Sequence, residues 1–117
     1  MKLKDRLELL YGFAVRVDDE QKGKYPVFGS NGITGYIDNY KIEAPGIIVG
    51  RKGSVGKVSF SDLNFTPTDT AYYVNILDKG KDNLKFWYYY LQLFRLEKLN
   101  THSSVWEVKK LEELSFI

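Results

Sequence analysis

Between Tyr25 and Phe60 the chain places a glycine every few residues, at Gly29, Gly32, Gly35, Gly46, Gly50, Gly53 and Gly56. Glycine accepts positive φ and close backbone approach, so this spacing predicts short strands separated by tight turns or bulges. The segments are YPVFGSNGITGYI, GIIVG, RKGS and VGKVSF, and turns repeated this closely predict a strongly curved sheet. Ile47, Ile48 and Val49 form a continuous β-branched run, the pattern of a central strand covered on both faces.

The flanking regions supply the remaining elements. Leu3, Leu7 and Leu10, spaced four and three apart, predict a short amphipathic N-terminal helix closed by Gly12. Residues 13–19 alternate as a strand does, and Asp18 to Lys24 form a polar connection without an apolar anchor. Thr66 to Ile76 read as one further strand with proline near its start. Asp82 is placed to cap a helix over about 83–98, whose apolar stripe is Leu84, Trp87, Tyr88, Leu91 and Phe94, widened by Phe86, Tyr90 and Leu93. The segment from Asn100 reads as a loop, followed by a short helix or turn and a last strand. The expected class is α+β, a strongly curved and mostly antiparallel sheet with a long packing helix and short flanking helices, in one domain over 1–117.

Composition narrows function by exclusion. The 117 residues carry no cysteine, which removes disulfide scaffolds, thiolate zinc sites and cysteine nucleophiles. The start Met-Lys-Leu-Lys-Asp has no apolar core of a signal peptide, and no stretch approaches the roughly 20 apolar residues of a membrane span. A cytoplasmic protein is expected. Formal charge is only +2, so basicity alone does not announce a nucleic-acid binder. GRKGSVGK places five residues between Gly50 and Gly56, one more than a phosphate-binding loop has, and Val58 follows Lys57 where serine or threonine is needed. His102 is the lone histidine, so a multi-histidine metal site is impossible. Ser103, Ser104 and Asp69 lack the Gly-x-Ser-x-Gly context of a nucleophile elbow. No enzyme chemistry, metal or cofactor is implied.

What remains is a set of glycine-shaped loops bearing small hydrogen-bonding groups and positive charge. These are Ser30 and Asn31, then Arg51, Lys52 and Ser54, then Lys57, with Thr101 and His102 as a further loop. Amide N–H groups and cations in such loops suit phosphate oxygens, and asparagine, arginine and lysine also match base edges.

In their order these motifs resemble one known family. YPVFGSNGITGYIDNY, PGIIVGRKGSVGKV, TPTDTAYYV, LKFWYYYLQ and LEKLNTHSSV, from about Lys24 to Val105, are similar to the target recognition domain of type I restriction-modification DNA-specificity subunits. The resemblance implies a non-catalytic domain that reads a half-site of double-stranded DNA and directs partner methyltransferase and nuclease subunits to it. It implies an architectural or phosphate-positioning role for the Gly29–Gly32 and Gly50–Ser54 turns, and a structural one for Thr68-Asp69-Thr70. Base reading then falls to less stereotyped positions, Lys22, Tyr25, Asn39 and Lys41, with Lys24 beside them. Two departures stand out. Trp106-Glu107-Val108 replaces a proline-containing turn, and neither the long spacer helix nor a second recognition domain is expected within 1–117. The alternative is an interaction module of the same fold that binds a methyltransferase or another partner without DNA, through exposed aromatics such as Trp87 and Trp106.

Overall fold

The computed structural model describes residues 5–16, 23–80 and 83–93. It is an α+β arrangement of two sheets and one helix. Strands β1 (Leu7–Tyr11), β4 (Gly46–Gly50), β5 (Val58–Ser61) and β7 (Ala71–Ile76) form an antiparallel sheet in the order β1-β7-β4-β5. Strands β2 (Tyr25–Gly29), β3 (Gly32–Ile37) and β6 (Thr66–Pro67) form a second sheet in the order β3-β2-β6, antiparallel between β2 and β3 and parallel between β2 and β6. The strands expected in one curved sheet are thus divided between two. Among the described residues no helix is long and apolar enough to cross a membrane.

The β-branched run of β4 explains how the layers stack. Ile47 and Val49 face one core with Leu7, Leu9, Tyr72, Val74, Ile76, Trp87 and Leu91, while Ile48 faces a second core with Phe28, Phe65 and Ala71. Successive strand side chains point to opposite faces, so a strand buried on both sides must be apolar at every position. Helix α1 (Leu84–Leu93) covers the first face of the four-stranded sheet through Trp87 and Leu91. The second core lies toward the β2–β3 hairpin.

Three expectations are corrected. The N-terminal residues form strand β1, not a helix: Leu7 and Leu9 are buried and Leu10 is half-buried, a period of two that pairing with β7 selects over the helical spacing. The segment 66–76 is two strands, because the turn at Thr68–Thr70 hands the chain from the second sheet to the first. Asn83 caps α1, one position after the expected cap, its Oδ1 accepting from the N–H groups of Lys85 at 2.8 Å and Phe86 at 3.3 Å. In addition, the stretch 13–16 contributes only an isolated bridge from Phe13 to Thr68. Trp87, read as an exposed aromatic, is 1% exposed. Asp82, the remainder of the 13–19 strand and most of the Asp18–Lys24 connection lie outside the described residues. So do the stretch of the expected helix beyond Leu93 and everything after it, Trp106 included.

Candidate nucleic-acid interface

Three loops meet at one end of the two sheets. They are the β2–β3 turn at Ser30-Asn31, the β4–β5 loop over 51–57, and the β6–β7 turn at Thr68–Thr70. The β4–β5 loop closes on itself, with the Gly50 N–H donating to the Lys57 carbonyl at 2.8 Å and the Gly56 N–H to the Gly50 carbonyl at 2.9 Å. A β-carbon on Gly50 would run into the Ser54 carbonyl oxygen and approach that of Ser30 at 3.0 Å. Gly53, at φ +76°, occupies the left-handed region that side chains disfavour and sits against the Ser30 hydroxyl. Glycine at these two places lets the loop lie directly on the neighbouring turn.

Side chains then tie the loops together. Lys57 Nζ donates to the Asn31 side-chain oxygen at 2.7 Å and its carbonyl at 3.3 Å, and the Ser54 N–H donates to Ser30 Oγ at 3.4 Å. Toward the third loop, the Arg51 and Lys52 N–H groups both donate to the Thr70 carbonyl, at 2.9 and 3.0 Å. Arg51 Nη1 donates to the Asp69 carbonyl at 2.6 Å, and the guanidinium lies 4.9 Å from the Tyr11 ring centroid. The Thr68 and Thr70 hydroxyls share a 2.7 Å hydrogen bond, and the Thr68 N–H donates to the Phe28 carbonyl at 2.8 Å. Burial pushes the Tyr72 hydroxyl above its ordinary pKa, and the neighbouring Tyr11 phenol adds to this, while a hydrogen bond and the positive charge of Arg51 pull the other way.

The sequence-derived candidates fall into two groups. Ser30, Asn31, Arg51, Lys52, Ser54 and Lys57 belong to the junction just described. Lys24, Tyr25, Asn39 and Lys41 belong to the opposite end of the β2–β3 hairpin, roughly 16 Å away at the rise of an extended strand. There Tyr25 meets Tyr40 edge-on at 4.9 Å, Lys24 and Asn39 are exposed, and the Lys41 ammonium lies 6.0 Å from the Phe13 ring centroid. Lys41 also lines a cleft of about 790 Å³ with Lys79, Lys85, Glu43 and Asp62, a mixed-charge wall beside the start of α1. Lys22, Thr101 and His102 lie outside the described residues. Among the described residues no cluster of acidic, histidine or cysteine side chains could hold a metal ion.

Sequence reasoning missed Tyr11, Tyr40 and Tyr72 as neighbours of the candidates. Tyr11 and Tyr72 are paired across β1 and β7, a long-range register that the helical reading of the N-terminus concealed.

The model of the type I restriction modification DNA specificity domain matches residues 1–116. No curated protein matches the chain. Among solved structures, the S subunit of a type I restriction-modification system from M. genitalium superposes with a TM-score of 0.72 at 28% identity, over 89% of this chain and 29% of that one. The HsdS subunit from Thermoanaerobacter tengcongensis superposes with a TM-score of 0.63 at 11% identity, over 97% of this chain and 35% of that one, a likeness of fold. The chain spans about a third of the length of each of these subunits. With its glycine loops joined as described and residues 1–116 matched, the chain belongs to the type I restriction modification DNA specificity domain family.

Proposed function

We propose that this chain binds duplex DNA by sequence, as a target recognition domain, and directs a methyltransferase subunit and through it a nuclease subunit to that site in the cytoplasm. Membership of the family implies sequence-specific DNA recognition. The observation that supports a location for it is the convergence on one end of the molecule of three loops, the first carrying Asn31 and the second Lys52 and Lys57.

Six amides of the β4–β5 loop and its edge are not the phosphate contacts in this reading. The N–H groups of Gly50, Arg51, Lys52, Ser54, Gly56 and Lys57 all donate within the protein. Phosphate contact is therefore assigned to side chains, and the exposed Lys52 is the first candidate. The Tyr25, Asn39, Lys41 and Lys24 group, at the other end of the hairpin, supplies a second contact region whose amide and ammonium groups suit base edges or backbone oxygens.

The test is a binding selection of the full chain on random duplexes, followed by competition between the enriched sequence and its scrambled form. Enrichment of one short motif that outcompetes its scramble is the expected result. Uniform recovery of all sequences would count against it.

A second reading keeps the fold and replaces DNA by a protein partner. Phe86 and Tyr89 of α1 are 54% and 56% exposed, an aromatic surface on the side of the helix away from the core. Capture of a modification subunit by a chain that enriches no duplex would select that reading, and loss of capture on replacing Phe86 and Tyr89 by serine would map it.

A further inference from the structure

The loop over 51–57 carries three cationic side chains, and they do not stand in equivalent surroundings. Lys57 holds two oxygens of Asn31, the nearer at 2.7 Å. Arg51 is half-buried, with its Nε buried, its Nη1 on the Asp69 carbonyl and its plane over Tyr11. Lys52 is exposed, and its ammonium has no hydrogen bond or ion pair among the described residues, while its N–H is anchored beside that of Arg51 on the Thr70 carbonyl.

We propose that Arg51 and Lys57 are positioning residues that lock the three recognition loops to one another, and that Lys52 is the cation of this loop that meets a DNA phosphate. The assignment rests on the DNA-binding reading above and divides its labour among residues that sequence alone treats alike. Charge-assisted hydrogen bonds are the stronger kind. Lys57 already commits two of its three N–H donors to Asn31, which fastens the hairpin turn to the β4–β5 loop. Arg51 commits Nη1 to the Asp69 carbonyl and lies over Tyr11, which fastens the β6–β7 turn and fixes where the guanidinium sits. Lys52 has no such tie to give up, and the two amide bonds to Thr70 hold its backbone still. Arg51 joins the third loop and Lys57 the first, so the presentation of Lys52 depends on both.

The experiment compares three single substitutions, Arg51→Gln, Lys52→Gln and Lys57→Gln, in the full chain against one duplex over a series of salt concentrations. Each removes one positive charge, so a general change of electrostatic potential is common to all three. Each phosphate contact contributes about 0.9 to the log–log salt slope. Lys52→Gln is expected to make the slope shallower by about that amount. Arg51→Gln and Lys57→Gln are expected to weaken binding at every salt concentration with the slope unchanged. Arg51→Lys restores charge without the planar fork, and affinity should stay at the level of Arg51→Gln. A slope reduced by Arg51→Gln or Lys57→Gln, or left intact by Lys52→Gln, overturns the assignment, as does full rescue by Arg51→Lys.

A measurement without DNA separates the lock from the DNA reading. Because Arg51 and Lys57 fasten the loops through Asp69 and Asn31, Arg51→Gln should speed amide hydrogen exchange at Lys52 and Lys57→Gln at Ser54, whose N–H groups cross from this loop to its neighbours. Unchanged exchange in both variants overturns the lock whatever DNA does. If the unaltered chain binds no duplex at any salt concentration, the DNA reading fails while faster exchange still supports the lock.

Discussion

Tyr72 is buried against two partners of opposite effect, and its titration reports their balance. Burial and Tyr11 hold its hydroxyl above the ordinary phenolic value near 10, with Arg51 opposing. A group whose pKa is higher in the folded state contributes stability that is intact below its unfolded value and is lost as pH rises through the folded value. Stability should therefore fall above pH 10 in part because Tyr72 ionises. Tyr72→Phe is expected to flatten that fall, as read by urea denaturation at a series of alkaline pH values. A residue of a different kind, Gly50, can be tested at neutral pH. A methyl there collides with the backbone of Ser54, and Gly50→Ala should cost about 1–3 kcal/mol by denaturant titration, the range for overpacking a rigid site.

At the level of elements, the described part of helix α1 is held by the Asn83 cap and by buried Trp87 and Leu91, with Leu84, Tyr88 and Tyr90 packed against the same core. Asn83→Ala should cost about 1 kcal/mol, the usual value of an N-cap, in thermal or chemical denaturation. Leu91→Ala should cost about 2–5 kcal/mol, because Leu91 is fully buried beneath the helix. The elements also show which parts of the fold were legible in the sequence. Ile47–Val49 announced a strand covered on both faces, since no other setting tolerates three β-branched residues in a row so economically, and the stripe through Leu84, Trp87 and Leu91 announced α1. Strand β1 was not legible: Leu3, Leu7 and Leu10 satisfy a helical period as well as Leu7 and Leu9 satisfy a strand period. The choice is made by β7, more than sixty residues away, with Glu8 accepting from Asn75 at 2.8 Å across the pair. Asn83 and Asp82 are equally good caps by residue type, and the sequence alone does not choose between them.

For the whole molecule, the sequence pointed to residues that gather at the loop junction but not to how they are connected there. Glycine turns and their cations pointed to Ser30, Asn31, Arg51, Lys52, Ser54 and Lys57. Nothing in their order revealed that Lys57 reaches Asn31, or that the Tyr25 and Lys41 group lies at the far end of a hairpin. Both facts depend on how two sheets are joined, and the join is short. β6 pairs with β2 in one sheet, β7 pairs with β4 in the other, and only Thr68-Asp69-Thr70 lies between them. A three-residue span leaves no slack for the sheets to part separately, so the molecule should open as one cooperative unit. Amide hydrogen exchange at Val27 and at Val74 is expected to show the same dependence on denaturant, although the two belong to different sheets. Distinct dependences would mean that the halves come apart independently. The same three residues are bonded to both sides, Thr68 to Phe28 of the hairpin and Thr70 to Arg51 and Lys52 beyond β4, so a change in this turn is felt in both sheets at once.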